Sequence, residues 1–477
     1  MIRYRKLLIA AGCALALPLL ATPAAVASTP IVLHVGQIDR QDVAPQPGSE
    51  PDTLVEPDVA VSPRNPQYAV AVAHDGRYPD GGAVDISYAW THDGGAHWHH
   101  APMPGITKAV GGPWDRASDP VVAWGPDGSV YVSVLDISLG CPSGVSVSRS
   151  TDGGETFGPP MQAHYSASCN YSDDKNFLVI DNGRYSPHRG RLYQFWTPFL
   201  YDAQGNNTAA LQVVRWSDDH GRTWSRTVDV TPPGTYSQNS QPMIQPNGTI
   251  VDTYLDYGTS GGGEAPESRI GEHAHVAAPM ASPPADHLVA RTSHDGGRTW
   301  SAAATITNAA GEGPAGVRCC LPSATADPVT GRLFATWISP DSSTVMITQS
   351  FDGTHWSSAV PVVPAVPNRD YINSDVAAYR GEVFVASSTR DLTDQDGRYA
   401  QQEVSVSPDG IHFAAPIKLG PLSDLRYAAQ AGGIFPGDYM GSSVTHGRYY
   451  SVWCRSSTPP DPSAQYHQTM WSATLGT

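Results

Sequence analysis

The chain has 477 residues, with 29 Lys and Arg against 45 Asp and Glu and a formal charge of −16. So acidic a surface repels polyanions, which excludes nucleic acid and anionic membrane surfaces as partners, because their binding rests on basic patches that release counterions.

The first residues, Met1-Ile2-Arg3-Tyr4-Arg5-Lys6, precede an apolar run from Leu7 to Ala21 and the small-residue pattern Ala25-Val26-Ala27. Residues 1–27 therefore read as a secretory signal peptide. The run is shorter than the roughly 20 residues of a membrane helix, and no later segment is long and apolar enough to anchor the chain. A lipidation signal at Cys13 lacks its leucine. The expected product is a secreted, soluble monomer, of charge −19 once Arg3, Arg5 and Lys6 leave with the leader. Residues 28–48 are a connecting segment in which Ile31-Val32-Leu33-His34-Val35 has the composition of a strand, and 49–477 form one repeating domain.

The repeat is a short turn motif. It runs Thr91-His92-Asp93-Gly94-Gly95-Ala96-His97-Trp98, then Ser150-Thr151-Asp152-Gly153-Gly154-Glu155-Thr156-Phe157, and recurs around Asp219 and Asp295 and, shortened by one residue, around Asp352 and Asp409. Successive aspartates lie 59, 67, 76, 57 and 57 residues apart. Asp and Gly supply the turn, Ser/Thr and Asp side chains cap its amides, and the last aromatic plugs into the sheet. Ahead of each turn lie two apolar runs of strand length, such as Pro120-Val121-Val122-Ala123-Trp124 and Val130-Tyr131-Val132-Ser133-Val134. Four strands per unit at this period predict an all-β fold, a single β-propeller of seven four-stranded blades, with six blades as the alternative. The seventh unit stops short of a turn motif, and the strand at Ile31 is expected to complete it.

With Glu56-Pro57-Asp58-Val59, Asp174-Lys175 and Gly437-Asp438-Tyr439 opening three units, the chain resembles the sialidase-like (BNR, Asp-box) superfamily of bacterial exported proteins over residues about 50 to 477. The resemblance implies a propeller and a glycoside hydrolase acting on terminal sugars of extracellular glycans, exo-α-sialidase-like. It implies a tyrosine nucleophile, an aspartate acid/base and an arginine grip on the sugar carboxylate. The Arg-Ile-Pro segment that carries the first arginine of sialidases is absent, and Glu56-Pro57-Asp58 stands in its place. Asp-box turns report fold rather than chemistry, so a carbohydrate- or protein-binding propeller without catalysis stays open beside the hydrolase, as does an unrelated enzyme such as a lyase on the same scaffold.

In a propeller the loops that enter the inner strands share one face, the channel mouth, and the Asp boxes lie on the other. The inner-strand starts are unusually polar. From them Asp438 or Asp174 is expected as acid/base and Tyr439 or Tyr371 as nucleophile or stacking platform. Arg116, Arg318 and Arg369 are the candidate anion grips, and Glu56, Asp58, Asp119, Lys175 and Asp375 complete a substrate-binding mouth. The competing reading is that these groups cap inner strands and line a wet channel. The insertion from 258 to 287 is expected either as a lid over the mouth or as a plain surface excursion, and its His273 and His275 as a solvated pair.

No cofactor motif and no metal-ligand set is read from the spacing. Export permits disulfides. Cys141, in the second-to-third loop of the second unit, and Cys169, entering the third, lie on one face of adjacent blades and are expected to be bonded. Cys319 and Cys320 are either a vicinal disulfide or two buried thiols, and Cys454 is left over.

Overall fold

The computed structural model describes residues 30–476 apart from 42, 259–285, 312, 395 and 396. The leader expected at 1–27 and the body of the 258–287 insertion, with His273 and His275, lie outside the described residues.

The described chain is all-β. In the first unit Asp58–Val61, Ala69–Arg77, Ala83–Thr91 and His99–Pro102 pair in sequence order, each antiparallel to the next. The second, Arg116–Trp124, Val130–Ile137, Ser143–Ser150 and Met161–Ser166, pairs in the same order and is joined to the first sheet by the single strand pair Ala83 and Ala117. In the third, Tyr171–Ile180, Leu192–Tyr201, Val213–Ser217 and Val228–Asp229 pair in order, with Asn207–Ala210 added beside the second strand. Ser237–Ile244, Ile250–Asp256, Asp286–Ser293 and Ala304–Ala310 follow, then Ser323–Ala326, Leu333–Ile338, Val345–Ser350 and Val360–Pro361. Arg369–Tyr379, Glu382–Asp391, Tyr399–Ser407 and Ile417–Asp424 make the next sheet. The last sheet joins both ends of the chain: Gly441–Thr445, Arg448–Ser456 and Gln468–Gly476 are followed on the outside by Ile31–Asp39, which pairs with Gln468–Gly476.

The first strand of each unit packs on the first strand of the next, and that of the last packs on that of the first. Strands covered on both faces need no polar alternation, and all of Ala69–Arg77 is buried. The apolar cores lie between sheets. Val70, Val72 and Ile86 of the first unit meet Val122, Trp124 and Val132 of the second, and Phe384 of the sixth unit stacks on Tyr449 of the last, with ring centroids 4.6 Å apart.

The turn motifs close as their chemistry dictates. Ser217 Oγ accepts the Gly221 amide at 2.9 Å, while Asp219 accepts the Thr223 amide at 2.8 Å and its hydroxyl at 2.6 Å. Where Thr is replaced by His, the imidazole takes its place: His97, His355 and His412 pair with Asp93, Asp352 and Asp409. The closing aromatic does more than plug its own sheet. Trp224 packs with Val121, Tyr131 and Leu192, in the seam between its own unit and the preceding one.

Candidate functional site

Each unit enters its inner strand through one residue in the left-handed region: Glu56 (φ 55°), Asp119 (47°), Lys175 (48°), Asn239 (64°), Cys320 (92°), Asn373 (53°) and Gly437 (109°). Such a conformation is costly for a residue with a Cβ, and it persists only where surrounding contacts fix it. In four of the units the register of the inner strand shifts at or beside the residue, between Ser118 and Val121, Asp174 and Phe177, Gln238 and Gln241, and Ile372 and Ser374.

The bulged residues reach sideways to the neighbouring unit. Asn239 Nδ2 donates to the Pro322 carbonyl at 3.0 Å, and Asn373 Nδ2 to the Gly437 carbonyl at 2.8 Å. The Asn373 amide donates to Cys320 Sγ at 3.3 Å, and the Cys320 and Leu321 amides converge on the Asp438 carbonyl. At Gly437 a Cβ would lie 2.8 Å from the Glu56 nitrogen, so the seventh position of the ring takes only glycine.

The first strands of all seven units line a central cavity of about 350 Å³, with Lys175 and Tyr439 among its lining residues. Lys175 is the hub of the mouth. Its Nζ lies 3.5 Å from Asp119 Oδ2 and 3.5 Å from the centroid of the Tyr439 ring. Glu56, Asp438 and Asp174 also act on it, and together these carboxylates outweigh the burial that would otherwise lower its pKa, holding it above the ordinary lysine value. Asp174 is fixed by Gln238 Nε2, which donates to Oδ2 at 2.7 Å. Asp438 pairs with Arg318 at 3.4 Å, and the Arg318 guanidinium lies 5.0 Å from the centre of the Phe435 ring. Below them His74 Nε2 lies 3.3 Å from Glu56 Oε2 and accepts the Asp119 amide at 2.9 Å.

Seven residues expected at the mouth are therefore brought together: Glu56, Asp119, Asp174, Lys175, Arg318, Asp438 and Tyr439. The other five are placed differently. Arg116 pairs with Asp80 at 2.7 Å, donates to the Gly81 carbonyl and stacks over Tyr78, none of them in the cluster. Tyr371 is 1% exposed in the apolar core of the fifth and sixth units, and its electrostatic neighbours are Glu403 and Arg369. Arg369 thus belongs with that pair and not with Arg318.

Asp58 and Asp375 are structural caps inside the channel. Asp58 accepts the Val59 and Val122 amides at 2.8 Å each, and Asp375 accepts the Ser323 hydroxyl. Burial pushes the carboxyl of each up to about 7. For these two the strand-capping reading holds.

His74 was not anticipated. Its only mark in the sequence is that the apolar run Ala69-Val70-Ala71-Val72-Ala73 breaks into His74-Asp75 just before the strand ends. The cysteines are resolved as two bonds, Cys141–Cys169 and the vicinal Cys319–Cys320, with Cys454 a buried thiol.

No family model and no curated relative matches the chain. Solved structures similar to it include the α-L-arabinofuranosidase of Fusarium graminearum in complex with arabinobiose, at 15% identity over 74% of this chain and 92% of that one, with a TM-score of 0.47. The α-L-arabinanase of Penicillium chrysogenum, also with arabinobiose, matches at 13% identity over 82% and 99%, with a TM-score of 0.48. A Hadza microbial sialidase matches at 14% over 91% and 93%, again with a TM-score of 0.48. These are loose likenesses, and the fold described above rests on strand pairing alone.

Proposed function

We propose that the protein is an exported, sialidase-like propeller of seven four-stranded blades, and a glycoside hydrolase acting on terminal sugars of extracellular glycans. The observation that carries this reading is the convergence of Asp119, Asp174, Asp438, Glu56 and Tyr439, from four separate units, on one lysine at the mouth of a central cavity. Charged groups gathered at a concave polar site are the mark of a ligand or catalytic centre.

In this reading Asp438 is the acid/base, oriented by Arg318. Tyr439 is the nucleophile or the platform on which the sugar ring stacks, and Asp174, held by Gln238, is the second carboxylate at the sugar. Lys175 lies among these carboxylates and offsets their negative charge. An exo-sialidase needs a bidentate grip on the substrate carboxylate. Of the three arginines expected as grips only Arg318 lies at the cluster, since Arg116 is engaged by Asp80 and Arg369 neighbours Tyr371, so the arginine grip is thinner than the sialidase resemblance implies. A carbohydrate-binding propeller without turnover is the second reading. It is favoured by the degree to which Asp119, Lys175, Asp174 and Gln238 already satisfy one another.

The test is a panel of 4-methylumbelliferyl glycosides, sialoside and pentofuranosides included, given to the secreted protein. Release of one sugar supports the hydrolase. Silence across the panel together with saturable glycan binding supports the second reading.

A further inference from the structure

Beneath the mouth, Glu56, His74 and Asp119 each offer one donor atom, and these three atoms lie within 4.8 Å of one another. All three residues are buried, at 1%, 1% and 3% exposure. They come from two adjacent units, Glu56 just ahead of the strand Asp58–Val61, His74 within Ala69–Arg77 and Asp119 within Arg116–Trp124, and Glu56 and Asp119 hold the left-handed conformation.

Two further observations bear on what sits between them. The first concerns lone pairs. His74 Nε2 accepts the Asp119 amide at 2.9 Å, so the ring proton belongs on Nδ1 and Nε2 has none to offer Glu56. Yet Glu56 Oε2 lies only 3.3 Å away. A carboxylate oxygen and an imidazole lone pair facing each other at that distance repel unless a cation or a proton stands between them. The second concerns donor chemistry. Glu56 and Asp119 bring two carboxylates to the same point as the imidazole nitrogen of His74, and a pair of carboxylates matches the charge of one divalent ion.

We propose that Glu56, His74 and Asp119 bind a divalent cation of the zinc or manganese class. One imidazole and two carboxylates form a borderline donor set suited to these ions. At metal–ligand distances of about 2.0–2.2 Å, two ligands of a tetrahedral site stand roughly 3.3–3.6 Å apart, which the Glu56–His74 separation matches. Ser118 Oγ donates to Asp119 Oδ1 at 2.8 Å and so orients that carboxylate from outside, as outer-shell partners of metal ligands do. The Asp119 amide gives up Nε2 to the ion, while Lys175 stays on Oδ2. The ion would neutralise the floor of the mouth and leave Asp438, Asp174 and Tyr439 to the ligand, so this inference goes beyond the proposed hydrolase and does not depend on it.

The test uses the full secreted chain, stripped with EDTA, then titrated separately with Zn²⁺, Mn²⁺ and Ca²⁺ by calorimetry, with metal content after dialysis measured by mass spectrometry. The expected result is close to one equivalent of Zn²⁺ or Mn²⁺, with a rise in Tm that EDTA reverses. Binding should weaken at least 100-fold in His74→Ala and in Glu56→Gln. Glu56→Gln keeps the shape of the site, so a folded but metal-blind variant is obtainable even if His74→Ala fails to fold. The proposal is overturned if the wild type retains no ion and shows no Tm shift, which would put a proton between Glu56 and His74. Binding unchanged in Glu56→Gln would overturn it as well. Neither readout requires turnover, so a silent glycoside panel leaves this test intact.

Discussion

The ammonium of Lys175 lies 3.5 Å from the centre of the Tyr439 ring and 3.5 Å from Asp119, which ties the third unit to the last and to the second across the channel mouth. Removing it leaves a set of buried carboxylates facing one another. Lys175→Met is therefore expected to destabilise the fold by about 3–5 kcal/mol, the cost of breaking a buried ion pair from one side. Urea denaturation of the variant checks this, and a change under about 1 kcal/mol would mean that the carboxylates find protons instead.

The pH dependence of stability should run in an unusual direction. Burial raises the carboxyl groups of Asp136, Asp173 and Asp375 to about 7 and that of Asp252 to about 8, against 3.8 in the unfolded chain. Between those limits the folded state holds more protons than the unfolded one, so stability falls as pH rises. It is fully present near pH 4 and is lost progressively through pH 7 to 8. The Asp-box carboxylates act oppositely but lower down: hydrogen bonds from Thr223 and Ser217 hold Asp219 at about 2, so its stabilisation is lost only as pH falls from 4 toward 2. Melting curves from pH 4 to 9 should show Tm declining toward the alkaline end. Asp252→Asn, which keeps the shape and removes the ionisation, should flatten the curve, and a Tm that climbs from pH 5 to 8 would contradict it.

The Cys141–Cys169 bond spans 28 residues and joins the second unit to the third. Closing a loop of that length restricts the unfolded chain, and its loss costs roughly 2–4 kcal/mol. Cys141→Ser with Cys169→Ser should lower stability by that amount while leaving ligand binding at the mouth in place, as guanidinium denaturation beside a binding titration would show.

Deleting residues up to Asp39 removes the strand that pairs with Gln468–Gly476 and exposes its edge. The truncated chain should melt several degrees lower and tend to associate through the bared strand, as unpaired edges do. Light scattering during the melt separates the two effects.

The strands and turns were legible because their signals are local. The motif around Asp219 contains every donor and acceptor that closes it, and the Ile31-Val32-Leu33-His34-Val35 run announces a strand whatever its partner. The mouth was legible only in part. At four of the entrances a one-residue bulge changes which way the following side chains point, and nothing in the sequence gives its position. Lys175 and Asp119 occupy the bulge and face the channel, whereas Arg116, three residues before Asp119, turns outward to Asp80. Tyr371, two residues before Asn373, enters the seam between units. His74 escaped notice because its role appears only when the second strand of the first unit is laid against Glu56 and Asp119.

The central claim is that Asp438 and Tyr439 perform glycosidic chemistry at this mouth, and kcat/KM of Asp438→Asn and Tyr439→Phe on the sugar released by the wild type tests it most directly. The account predicts losses of at least about 100-fold in both variants, the scale of a lost acid/base or nucleophile, with stability little changed. Turnover within a few-fold of the wild type in both would contradict it and remove these residues from the mechanism.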